Sequence, residues 1–126
     1  MGFLDGLLGN ATEVSAEDIA KEYSQLFIPG EIIEAAYKLV RDVYIFTDKR
    51  LILVDKQGIT GRKVEYLSIP YKSISRFSVE TAGHFDLDAE LKIWISSATE
   101  PTIEKNFTAD ANIYAVQQRL AEHTCR

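Results

Sequence analysis

Val43-Tyr44-Ile45-Phe46 and Leu51-Ile52-Leu53-Val54 are two apolar runs separated only by Thr47-Asp48-Lys49-Arg50. Short runs of β-branched, aromatic and aliphatic residues read as strands, and the polar stretch between them reads as a tight corner. An antiparallel strand with one wet face alternates apolar and polar side chains, yet these runs are apolar on both faces. Both faces need a cover. Either an N-terminal helix supplies it or another copy of the chain does. Trp94 raises the same question, because strand alternation puts it on the solvent side.

From Glu31 to Phe107 the pattern is β throughout. The stretch 57–61 (QGITG) reads as a second corner, and Pro70 in 69–73 (IPYKS) belongs at a strand end or edge. Between His84 and Ile95 the alternation is clean. Phe85, Leu87, Ala89, Leu91, Ile93 and Ile95 fall on one face, with Asp86, Asp88, Glu90, Lys92 and Trp94 on the other. A loop over 97–102 precedes a last short strand, IEKNF. Ile113, Val116 and Leu120 then form the stripe of a closing helix, with Asp110 as its cap. Ahead of the strands, Ser15 with Asp18 resembles a helix cap, and Ile19, Tyr23, Leu26 and Phe27 predict a helix over about 15–28 that Pro29-Gly30 stops. About seven short strands between two helices, joined by short corners, predict an antiparallel meander curled into a small barrel or sandwich, one end plugged by the last helix.

A chain of 126 residues fits one domain. The net charge of −5 argues against non-specific binding to nucleic acid or anionic membrane. Cys125 is the only cysteine, so no intrachain disulfide forms, and no apolar run reaches membrane-spanning length. The N-terminus lacks a basic stretch ahead of its apolar residues, and the expected location is cytoplasmic.

Gly58 and Gly61, followed by Arg62 and Lys63, suggest a phosphate loop, but the stretch lies between strands and lacks the Gly-Lys-Ser/Thr ending. Hairpin corners need glycine for backbone reasons alone. Asp86, Asp88 and Glu90 lie along one strand, too straight for a cation cage. His84 and His123 lack a third ligand for zinc. No nucleophile, base and oxyanion set is visible, so no catalytic, metal or cofactor residue is expected.

The stretches TDKRLILVD, EYLSIPYKSI and SVETAGHFDLDAELKIW closely resemble the bacterial pleckstrin-homology-like family, and the likeness runs from GFLDGLLGNA to the last helix. That resemblance implies a mainly β fold in which two nearly orthogonal antiparallel sheets make a seven-stranded, partly open barrel capped by a C-terminal helix. Residues 1–30 would be an N-terminal helical extension and 31–124 the barrel with its helix, one structural domain overall. The resemblance also implies no enzymatic activity and no cofactor. The expected partners are the chain itself in a cyclic homo-oligomer, a pentamer being one candidate, and a further protein.

Two functions follow as expectations. The first is a self-assembling interaction module whose interface includes Trp94, Tyr44, Phe46, Ile52 and Val54, with the strand edges Ser75–Thr81 and Lys92–Ser96 at or beside the contact. The second is an adaptor for anionic lipid headgroups, with Lys38, Arg41, Arg62 and Lys63 as the anion contacts and Phe3, Leu4, Leu7 and Leu8 dipping into the interface. Eukaryotic members of this superfold use a denser basic pattern at the first strand. Here Lys38 and Arg41 are its only cations and Asp42 follows, so that activity is not carried over.

Overall fold

Ser15 starts the first helix in the computed structural model, which describes residues 12–38, 42–58, 62–81, 89–107 and 110–125. Its hydroxyl accepts the Asp18 amide at 3.1 Å, satisfying one of the free N–H groups at the helix start. The helix, α1 (Ala16–Glu22), is shorter than the span expected from apolar spacing. Tyr23 closes it and a single 3-10 turn, Ser24–Leu26, follows. Ile19 and Tyr23 are nevertheless buried, as an inward stripe requires.

The described residues form eight strands: β1 (Thr12–Val14), β2 (Ile33–Lys38), β3 (Asp42–Thr47), β4 (Arg50–Gln57), β5 (Lys63–Pro70), β6 (Ile74–Thr81), β7 (Ala89–Ile95) and β8 (Ile103–Phe107). β1 through β5 make one antiparallel sheet in chain order, and β6 through β8 make the other. Among the described residues the sheets share no hydrogen-bonded ladder, which leaves the barrel partly open. The strand beyond the seven expected is β1, which pairs with β2 from Thr12 opposite Lys38 to Val14 opposite Ala36. It lies in the stretch read as a helical extension, and three residues are too few to carry a period. Pro70 ends β5 on the sheet edge, where its missing N–H breaks no ladder. Gly58, after β4, has φ +80° with open space where a Cβ would stand, so the corner uses glycine for its backbone freedom. Of the long alternating run, the described part keeps its phase, with Ala89, Leu91 and Ile93 buried, while His84 to Asp88 lie outside the described residues.

Two apolar cores explain the doubly apolar runs. Between the sheets, Tyr44, Phe46, Leu51 and Leu53 meet Leu91, Ile93 and Ile103, and α2 (Asp110–Thr124) adds Ile113, Val116 and Leu120. On the opposite face of the first sheet, Val43, Ile45, Ile52 and Val54 pack with Ile19 and Tyr23 of the N-terminal segment. Each large apolar side chain removed from water contributes about 1.5–3 kcal/mol, so neither face is left wet without cost. The cover is the chain's own helix.

A polar knot ties the entry to this second core. Glu31 takes two bonds from Arg50, Nε to Oε2 at 2.9 Å and Nη2 to Oε1 at 3.0 Å, and one from the Thr47 hydroxyl at 2.7 Å. Arg50 also donates to the Leu26 carbonyl at 2.7 Å and to the Ser68 hydroxyl at 2.8 Å. The knot therefore joins the 3-10 turn, β3, β4 and β5. Charge-assisted, fork-to-fork geometry of this kind holds the carboxylate ionised. The Arg50 guanidinium brings Glu31 from 4.5 down to about 2, against the opposing effect of burial, with Thr47 and the Ile28 amide adding to the drop. At the far end of α2, His123 stacks on Tyr71, ring centroids 4.0 Å apart, and its Nε2 lies 2.6 Å from Glu34 Oε1. Sheet alternation and helix spacing alone do not reveal such end clamps.

Candidate functional site

β6 and β7 pair so that Arg76 faces Trp94. Alternation turns Phe77 and Val79 toward the core and sends Arg76 and Trp94 to the outer face. The guanidinium carbon lies 4.4 Å from the Trp94 ring centroid, and the indole N–H donates to the Thr99 carbonyl at 3.4 Å. A cation over an indole contributes about 0.5–1 kcal/mol at a site of this exposure. Trp94 is thus a half-covered aromatic beside β6, the edge strand of its sheet.

The other four interface candidates lie elsewhere. Tyr44 and Phe46 are buried between the sheets, and Ile52 and Val54 are buried beneath α1. Their second apolar face, for which the sequence left either an N-terminal helix or a neighbouring copy as the cover, is covered from within the chain. The strand edges also divide. Ser75–Thr81 lies in β6, paired on the β7 side only among the described residues, whereas Lys92–Ser96 falls largely in β7, whose backbone is used on both sides by β6 and β8.

The anion candidates do not converge. Lys38 stands in register with Val43, which pairs with Val54, so it shares the face covered by α1. Lys63 stands opposite Gln57, an even number of residues from Asp55 and Glu65, and so belongs to the opposite face. Arg62 is exposed ahead of β5, and Arg41 lies outside the described residues.

Between those cations, the inner face at this end of the barrel is acidic, a feature that sequence reasoning missed. Register aligns Asp42 with Asp55 and Asp55 with Glu65, one carboxylate from each of three neighbouring strands. They line a cavity of about 40 Å³ with Tyr44, Leu53, Leu67, Ile103 and Lys105. Lys105, from the other sheet, places Nζ 3.1 Å from Asp42 Oδ2. Burial pushes the Asp42 carboxyl above its ordinary 3.8, the Asp55 carboxylate adds to the rise, and Lys105 opposes it. Burial, with Asp42 and Asp55 close by, likewise pushes the Tyr44 phenol far up. The only sequence signal was an acid at or near one end of each of three strands, which without register looks like solvated corners.

No set of three or more His, Cys, Asp or Glu among the described residues is arranged to hold a metal ion. No helix among them is long and apolar enough to cross a membrane. Cys125 is an exposed thiol.

A five-stranded and a three-stranded antiparallel sheet closed at one end by a helix define a pleckstrin-homology-like domain. The family model of the bacterial PH domain matches residues 2–124, and the chain belongs to that family. It is 64% identical over 121 residues to the uncharacterized protein YjqA of Bacillus subtilis (strain 168), covering 96% of this chain and 97% of that one. It is 38% identical over 112 residues to the uncharacterized protein YozO of the same organism, covering 89% and 95%. Among solved structures, a pleckstrin homology domain from Shewanella amazonensis SB2B superposes with a TM-score of 0.80 at 51% identity, covering 98% of each chain. A DUF1696 family protein with a pleckstrin-homology domain from Shewanella loihica PV-4 does so at 0.79 and 45%, covering 92% of this chain and 98% of that one. Domains of this family are generally non-catalytic.

Proposed function

We propose that the chain is a non-enzymatic interaction module of the cytoplasm that assembles with copies of itself into a closed ring and presents that ring to a protein partner. The observation that carries this reading is a pair of long edge strands, one in each sheet. β5 and β6, eight residues each, stand at the ends of their sheets, each laddered on one side only among the described residues. An open edge is a row of N–H and C=O groups that accepts another strand. Two different edges on one chain favour head-to-tail contact, which closes into a ring when the rotation permits. Trp94, flanking β6 beneath Arg76, supplies an aromatic anchor next to one of those edges.

This reading is preferred to the lipid-headgroup adaptor because Lys38 and Lys63 lie on opposite faces and the acidic row shares the face of Lys63. Native mass spectrometry, with light scattering over a dilution series, tests it. A single closed oligomer that survives dilution is expected, and Trp94→Asp should break it while the far-ultraviolet circular dichroism stays unchanged. A monomer at every concentration would sink the ring.

A further inference from the structure

Among the described residues the two sheets share no hydrogen-bonded ladder. At the acidic end, the contact that crosses between them is an ion pair: Lys105 of β8 to Asp42 of β3, 3.1 Å. Asp42 is 17% exposed at its side chain, and directly opposite it in the ladder stands Asp55. Glu65 follows on β5, the Gln57 amide donates to Asp55 Oδ2 at 3.2 Å, and the Tyr44 phenol lines the cavity beneath. Lys63 lies one row further out, opposite Gln57. Taking Asp42, Asp55 and Lys105 together, two negative charges meet one positive charge, and Glu65 adds a third negative charge at the rim.

A crowded, partly dry cluster with excess negative charge is stabilised by one more cation, and the smallest is a proton. We propose that this end of the barrel is a proton-sensitive joint, in which Asp42 and Asp55 share one proton on acidification and the ion pair to Lys105 is the charged link between the sheets above that pH. With the proton bound, the pair carries one negative charge against Lys105 and the inner cluster is neutral. Without it, like charges oppose each other across β3 and β4, and the joint depends on the ion pair to β8. The device regulates how firmly β8 is fixed to the first sheet, independently of whether the chain forms rings.

The direction of the pH effect follows from linkage. Asp42 is pushed above its ordinary value, chiefly by burial and also by Asp55, so the folded state holds this proton more tightly than the unfolded chain does. The cluster's penalty is therefore fully present near neutral pH and relieved as pH falls through the folded value. Carbon-detected NMR titration of the side-chain carboxyls in the intact chain tests the joint without any variant. Asp42 is expected to titrate above 3.8, with a second inflection in its curve from the shared proton. In Asp55→Asn the Asp42 curve should move down and lose that inflection, and the protection of the β8 amides relative to their intrinsic exchange should lose its pH dependence over the same range. An Asp42 curve at or below 3.8 in the natural chain, or one indifferent to Asp55→Asn, overturns the proposal.

Discussion

Glu31, just ahead of β2, and Asp42, at the start of β3, are two part-buried carboxylates with opposite settings. Glu31 sits where every acceptor lobe finds a donor: Arg50 twice, the Thr47 hydroxyl and the Ile28 amide. Asp42 sits where its partners are mixed, with Lys105 on one side and Asp55 on the other. Glu31 is accordingly held down to about 2, and Asp42 is pushed up. Burial raises both; the number and sign of partners decides which way each goes. One site is built to stay charged, and the other is built to change charge.

The largest test of this contrast is Arg50→Met. It leaves Glu31, with no side-chain exposure, short of its two strongest donors while the Leu26 carbonyl and Ser68 lose theirs. Removing one member of a buried pair costs about 3–5 kcal/mol, read as a lower urea midpoint at neutral pH. A loss under about 1 kcal/mol would mean that Glu31 is solvated in solution and that the two ends of the barrel do not differ as described.

Acid provides the next test. A carboxyl lowered in the folded state contributes stability above its unfolded value that is lost as pH falls through the folded one. For Glu31 the window runs from about 4.5 down to about 2. Allowing for solvent screening at the rim, that loss is on the order of 2 kcal/mol. Urea unfolding at steps from about pH 6 to about pH 2 reads it. In Glu31→Gln this part of the acid dependence should vanish. An unchanged slope would assign the acid sensitivity to other carboxyls.

How far the contrast was legible in the sequence depends on the range of the information each part needs. Local periods gave the strands from Glu31 to Phe107, the stripe of Ile113, Val116 and Leu120, and the Ser15 cap, because each is set within a few residues. Doubly apolar runs correctly demanded a cover on both faces. Which body supplies it is a tertiary fact, and α1 answers it for Ile52 and Val54, as the sheet interior does for Tyr44 and Phe46. Asp42, Asp55 and Glu65 lie on three strands and meet only through register, so nothing nearby in sequence marks them as one group. The acids that did look grouped, Asp86, Asp88 and Glu90, were adjacent along a single run. Arg50 shows the same limit. Read as the end of a polar corner, it reaches across to Glu31 and Leu26.

Lys105→Met is the smallest of the three perturbations and separates the two ends most sharply. Lys105 is 34% exposed and Asp42 17%, so their pair is partly screened, and its loss should cost about 1–2 kcal/mol near neutral pH. The pH course matters more than the size. Without Lys105 the acidic cluster keeps its negative charges and loses the cation that offsets them, so Asp42 should take up its proton at still higher pH than in the natural chain. The penalty of the variant then shrinks as pH falls through the Asp42 transition, whose midpoint lies above 3.8. The Arg50→Met penalty must persist further, because the natural Glu31 stays ionised down to about 2. Two penalties that fade over the same pH range would mean that the carboxylates share one environment. Penalties that fade in sequence, Lys105→Met first, mean that one end of this sheet holds its charge and the other exchanges it with solvent.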